Sequence, residues 1–293
     1  MSGVSITAAQ VKELRELTGA GMMDCRRALD ATGGDIAAAA EKMRLDGQAK
    51  AIKKAGRIAA DGMIAVATQG NALALVEVNC ETDFVAKGED FQSFAASAAK
   101  LVVEQGPADV AALSACKVGS ATLEDVRKTL VAKIGENITL RRFERIEGAG
   151  GSLSHYIHAG SRIGVAVALS QGDSELGKDI AMHVAASRPQ FLSANEVPED
   201  VRESERKVLV AQSEDSGKPP EIVAKMIDGK LRKFLGEITL LGQPFVKDPD
   251  QSVEKVLKAR GGAVARFVRF EVGEGIEKKA SDFAAEVRAA TQA

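Results

Sequence analysis

The feature that most constrains the fold is an order of patterns that occurs twice. MIAVAT and LALVEVN, near residues 62–79, are short β-prone runs separated by Gly70-Asn71, the pattern of a β-hairpin. Phe91, Phe94, Ala95, Ala98, Leu101 and Val102 then recur at helical spacing. From about residue 152, LSHYIHA and IGVAVALS again read as strands around a Gly/Ser/Arg turn, followed by a helix through Ile180, Val184 and Ala185. The two segments share no long identical string. A strand-strand-helix repeat is the simplest organisation, and it predicts two related α+β halves with antiparallel sheets forming one core.

Other elements surround this repeat. Thr122, Leu123, Val126, Leu130, Val131 and Ile134 mark a further amphipathic helix, and NITLRRFERIE alternates as a strand. Residues 198–236 carry two helical stripes around SGKPP, predicting an antiparallel helical hairpin. ARFVRFEVG resumes a strand, and DFAAEVRAAT reads as a short final helix.

Ahead of the repeat, three short helices are punctuated clearly. Thr7 and Gln10 form a capping box, Val11, Leu14 and Leu17 make a stripe, and Gly19 stops it. A second helix around Cys25–Ala31, capped by Asp24, ends at Gly33-Gly34. Asp35 caps a third, whose Ile36, Ala39, Ala40 and Met43 share a face until Gly47. The basic, alanine-rich QAKAIKKAGRIAADG then reads as a linker or hinge.

Composition narrows the function. With 293 residues, 45% hydrophobic, two or three units are expected, and with 4% aromatic residues Ala and Val must fill much of the interior. A net charge of −2 gives no global field for a polyphosphate backbone, so nucleic-acid binding is not expected. Three scattered cysteines, Cys25, Cys80 and Cys116, fit reduced thiols of a cytoplasmic protein. The N-terminus lacks a signal-peptide pattern and no stretch approaches a membrane span. Cytoplasmic localisation, without membrane contact, is the expectation.

Enzymatic chemistry is hard to find. The Gly-Lys pairs are followed by Asp, Pro and Leu, so no phosphate loop is indicated, and Gly19 and Gly21 begin a G-x-G that gains no third glycine. Two S-x-x-K matches, at Ser97 and Ser114, lack their companion signatures and read as surface residues. His155, His158 and His183 come without metal-ligand spacing. His183, amid an apolar helix, reads as a satisfied, semi-buried histidine. The chain is expected to be no enzyme and to hold no cofactor, metal or nucleotide.

Three segments carry a resemblance. LRELTGAGMMDCRRALDATGGDI, VNCETDFVAKGEDF and FVRFEVGEGIEKKASDFAAEV occur in that order, with KIGENITLRR, IAMHVAAS and ITLLGQPFV between them. Together they resemble elongation factor Ts. The resemblance implies an N-terminal ubiquitin-associated-like helical domain with its basic connector (1–56), core subdomains at 57–148 and 149–275, the hairpin inserted at 198–236, and a C-terminal module at 276–293. It also implies a guanine-nucleotide exchange factor that binds elongation factor Tu and promotes GDP release.

Carried over by position, Thr82, Asp83, Phe84 and Val85 correspond to the segment that displaces the partner's magnesium ion. Arg15, Met22 and Met23 match positions that touch the partner's GTPase domain, and His158 matches one that contacts another of its domains. Plainer readings stand beside these. Phe84 could be a core residue under the hairpin with Asp83 a helix cap, and Met22 or Met23 could fill the three-helix unit. For the whole chain the alternative is a non-catalytic RNA- or protein-interaction module using the basic stretch Lys50–Arg57.

Overall fold

The computed structural model describes residues 5–213 and 219–277. Three helices come first: α1 (Ala8–Thr18), α2 (Met22–Ala31) and α3 (Ile36–Lys54). The Thr7–Gln10 capping box starts α1 and Gly19, in the left-handed conformation, ends it. Val11, Leu14, Cys25, Leu29 and Ala39 close a small core.

Two sequence expectations change here. The second helix starts at Met22 with Gly21 as its N-cap, so Asp24 sits in the first turn rather than capping it. The third helix passes Gly47 and runs on to Lys54, taking up the first half of the stretch read as a linker. Gly47 persists inside that helix because a Cβ there would lie 3.1 Å from the Cβ of Ala132. The glycine is what lets α3 approach a neighbouring helix closely.

Next come β1 (Asp61–Gln69), β2 (Ala72–Cys80), the one-turn α4 (Asp83–Ala86), α5 (Glu89–Gln105), α6 (Val110–Ala115), the short pair β3 (Lys117–Val118) and β4 (Ala121–Thr122), α7 (Leu123–Ile134) and β5 (Thr139–Glu147). The second half contains β6 (Leu153–Ile157), β7 (Ile163–Gln171), α8 (Ser174–Ser187), α9 (Glu199–Ala211), α10 (Pro220–Ile238), β8 (Pro244–Phe245), β9 (Asp248–Ser252), α11 (Val253–Ala259) and β10 (Ala263–Glu271). The C-terminal module expected at 276–293 lies, beyond Glu277, outside the described residues, as does the tip of the α9–α10 hairpin.

The repeat seen in the sequence is a repeat in space. One antiparallel sheet has the order β1-β2-β5 and the other β10-β7-β6. In each, the second hairpin strand is central and the strand arriving after the helices pairs along its free edge.

The two sheets face each other. Ile64, Leu73, Leu75 and Ile146 of the first meet Ala166, Ala168 and Phe270 of the second in a shared core. Helices cover the outer faces: α5 and α7 bury Ala74, Val76 and Val78, while α8 and α11 bury Val165, Val167 and Leu169. A central strand covered on both sides should read as a continuous apolar run. All nine residues of β2 are buried accordingly. The sheets come close because the facing side of β7 carries Gly164, Ala166 and Ala168; a Cβ at Gly164 would lie 2.4 Å from Ile64 Cγ2.

The inserted hairpin is thinner. Leu209 is the buried residue of α9 and Ile227 that of α10, and Arg206 meets Asp228 at 3.1 Å across the pair.

Candidate functional site

At the end of β2 the chain turns sharply into α4. Thr82 is the N-cap, its hydroxyl accepting from the Val85 N–H at 3.4 Å. Asp83 is the first residue of the helix, not its cap, and its carboxylate pairs with Lys87 at 2.6 Å. Phe84 is 82% exposed. Val85, half-buried, packs on the core of the first half. The plain reading of Phe84 as a core residue and Asp83 as a cap therefore fails: the core contact belongs to Val85 and the cap to Thr82. An exposed phenylalanine on a single turn leaves its apolar ring in water, where contact with a partner would remove that area from solvent.

The turn is held from below. Glu136, in the link between α7 and β5, accepts hydrogen bonds from the backbone N–H of Glu81 (3.1 Å) and Thr82 (3.0 Å) and from the Thr82 hydroxyl (2.7 Å). Glu81 in turn accepts from the Asn137 N–H at 2.6 Å and meets Arg57 at 3.4 Å. Asn137 is buried and donates through Nδ2 to the carbonyl of Arg57 at 2.8 Å. The Cys80 thiol donates to the Thr82 carbonyl at 3.1 Å. Burial first, then the carboxylates of Glu136 and Asp61, push that thiol up to about 12, so it stays protonated.

A second exposed tip sits on the three-helix unit. Met22 and Met23 are 59% and 70% exposed, and Arg15 is exposed on α1. The small core is filled without either methionine, so the reading that one of them packs within the unit fails. Leu17, expected on the buried stripe of α1, is 67% exposed instead. It lies in the last turn, where Gly19 takes the chain away before another helix can cover that face. Sequence reasoning missed Leu17 as a surface residue; its place two residues before a stop glycine was the available signal.

The two tips are linked. A cleft of about 580 Å³, lined by Leu17, Gly21 and Met43 on one side and Ala132 and Lys133 on the other, opens between the three-helix unit and α7 beside the close approach of Gly47 to Ala132. Lys133 reaches across to Asp90, at the start of α5, at 2.8 Å, and Lys54 donates to the Gly135 carbonyl. Lys133, Glu136 and Asn137 were absent from the sequence-derived set because nothing local ties them to residues about fifty positions away.

His158 lies beyond the end of β6, so it does not share that strand with His155; it is exposed and its Nδ1 lies 3.1 Å from the Tyr156 hydroxyl. Its loop is fixed near the same end of the first sheet, since Arg162 pairs with Asp61 at 2.7 Å and Asp61 is the register partner of Cys80. His183 is fully buried and satisfied on both ring nitrogens: Nδ1 accepts from the Val246 N–H at 3.2 Å and Nε2 faces Gln243 Oε1 at 3.0 Å. A nitrogen that accepts from an N–H carries no proton, which makes this the Nε2–H tautomer.

Among the described residues no group of His, Cys, Asp and Glu is arranged to hold a metal ion, and no helix is long and apolar enough to cross a membrane. With the fold and these surfaces described, comparison with known proteins places the chain among the translation elongation factors. The family described as Elongation factor TS matches residues 81–274. The elongation factor Ts of Thioalkalivibrio sulfidiphilus is 57% identical over 98% of both chains, and that of Methylococcus capsulatus 55% identical over 99% of this chain and 100% of its own. The elongation factor Ts of Alkalilimnicola ehrlichii is 54% identical over 98% of both. The chain belongs to the elongation factor Ts family.

Proposed function

We propose that this chain is the guanine-nucleotide exchange factor of elongation factor Tu, acting in the cytoplasm, and that the Thr82–Val85 turn is the element that disturbs the partner's Mg²⁺ and nucleotide site. The observation that carries this reading is Phe84, 82% exposed on a one-turn helix whose base is pinned by Glu136. Phe84 enters the partner beside its metal site, and Asp83 interacts with groups freed there. Arg15, Met22 and Met23 hold the partner's GTPase domain, and His158 holds a second domain of the same partner. The chain itself binds no nucleotide and makes or breaks no covalent bond.

Energetics suits so small a device. A factor that binds the nucleotide-free partner tightly must weaken nucleotide binding by the same coupling free energy. Burying one phenylalanine is worth about 1.5–3 kcal/mol, and each ~1.4 kcal/mol of barrier is tenfold in rate.

The test is release of a fluorescent GDP analogue from elongation factor Tu, followed by stopped flow. The chain should accelerate release in a concentration-dependent way. Phe84→Ala should lower the plateau rate roughly 10- to 100-fold, while its stability stays within about 0.5 kcal/mol because the side chain is exposed. A plateau equal to the parent's would remove the wedge from the mechanism; no acceleration by the parent chain would remove the function.

A further inference from the structure

Glu136 makes three hydrogen bonds to the base of the exposed turn, all from outside it. Its carboxylate takes both backbone N–H groups of residues 81 and 82 on Oε2 and the Thr82 hydroxyl on Oε1. The hydroxyl bond matters most. Thr82 must present a lone pair to the Val85 N–H to cap α4, and a hydroxyl does so reliably only when its proton is committed elsewhere. Glu136 Oε1, at 2.7 Å, is where the proton goes.

The helix that carries Phe84 cannot hold itself. It has four residues, none of them buried, and one turn is below the length at which helices are stable alone. Its attitude is therefore set by its cap and by the partial packing of Val85 and Ala86. Charge-assisted bonds to a carboxylate are roughly twice as strong as neutral ones, which makes Glu136 the stiffest of these supports.

We infer that Glu136 is a positioning residue of nucleotide exchange: acting through Thr82, it holds Phe84 in the attitude in which the partner meets it. This rests on the wedge reading above. Glu136 itself touches neither the nucleotide nor its metal. A glutamine at this position can still accept from both N–H groups through its amide oxygen, but its amide nitrogen can only donate to the threonine oxygen, which leaves the hydroxyl proton uncommitted and the cap weaker. An alanine leaves three donors without their acceptor.

The experiment measures the plateau rate of GDP-analogue release from elongation factor Tu for the parent chain, Glu136→Gln, Glu136→Ala, Phe84→Ala and the Glu136→Ala/Phe84→Ala double variant, at a temperature where melting curves show each folded. Glu136→Ala should lower the plateau roughly tenfold or more, Glu136→Gln should lie between it and the parent, and adding Phe84→Ala to Glu136→Ala should cost little more. Glu136→Ala at the parent's plateau, or losses that multiply in the double variant, would overturn the inference and leave Glu136 a structural clasp. Phe84→Ala at the parent's plateau would instead bring down the wedge reading and the inference with it. Should Glu136→Ala not fold, Glu136→Gln and Thr82→Val carry the same cycle against Phe84→Ala, and parent-like plateaus in both overturn it.

Discussion

Glu77 and Arg142 are register partners on β2 and β5, and the carboxylate Oε2 lies 2.6 Å from the guanidinium Nε. Glu77 is fully buried. Its Oε1 also accepts from Arg141 at 2.9 Å, from Asn79 at 3.2 Å and from the Gly273 N–H at 2.8 Å. Two consecutive arginines on a regular strand would point to opposite faces. They reach one carboxylate here because the register shifts between Glu77 and Val78, leaving Arg141 as the extra residue of a bulge. Arg142 also lies 4.4 Å over the Phe270 ring and donates to the Glu271 carbonyl at 3.2 Å. One acid thus fastens the first sheet to the strand that closes the second.

Removing that charge should be costly. Glu77→Gln keeps the volume and leaves two guanidinium groups facing each other over an uncharged amide. Breaking a buried pair costs about 3–5 kcal/mol, and the arginines, 26% and 32% exposed, put this case at the lower end, about 3 kcal/mol in urea unfolding. Burial alone would raise the Glu77 carboxyl, yet the Gly273 N–H, Arg141 and Arg142 together hold it below the ordinary glutamate range. A depressed folded value means the stabilisation is complete above the unfolded pKa of about 4.3 and is lost as pH falls through the folded one. The parent should therefore lose its advantage over Glu77→Gln only in acid below that range; equal stability at neutral pH would show that the pair contributes nothing.

Much of this fold was legible because its signals are local. Gly70-Asn71 between two β-prone runs, the capping box at Thr7 and the apolar spacing of α5 each specify an element from adjacent residues. The short pairs β3–β4 and β8–β9 and the helices α6 and α11 went unread, being too brief to show a period. The end of α3 was misplaced because Gly47 looks like a stop; its reason, the Cβ of Ala132, is 85 positions away, the difference of the two numbers. The candidate site divides the same way. Phe84 was marked by the resemblance, whereas Glu136 is visible only once the fold brings 81–82 and 136–137 together.

His183 gives the structure a pH dependence nearer neutrality. Its burial lowers the imidazole pKa, and the hydrogen bond to Gln243 only partly opposes this. The folded chain then resists a proton that the unfolded chain accepts at about 6.5. Stability should be at its full value above that pH and decline as pH falls through the depressed folded value. His183→Gln abolishes the titration and leaves the Val246 N–H without its acceptor, at a cost of about 1–3 kcal/mol at pH 8. Its urea midpoint should change less than the parent's between pH 7 and 5; an identical slope for both would assign the dependence to other groups.

The exposed tip of the three-helix unit calls for a different outcome from the wedge. On the proposed function, Met22 and Met23 hold the partner rather than disturb its nucleotide, so they contribute equally before and after release; Leu17, exposed on the same unit, is expected to share that contact. Uniform binding of this kind changes the concentration needed for half-maximal acceleration and leaves the plateau alone. Leu17→Ser and Met23→Ser should each raise that concentration about tenfold, the loss of roughly 1.5 kcal/mol of apolar burial. Neither should shift the melting temperature appreciably, because the side chains are 67% and 70% exposed in the free chain. Leu14→Ser is the internal contrast: fully buried three residues away, it should unfold the unit, raising the half-maximal concentration with a clear loss of helical signal. A lower plateau for Leu17→Ser or Met23→Ser would move the tip from holding to acting, and an unchanged half-maximal concentration would take it out of the interface.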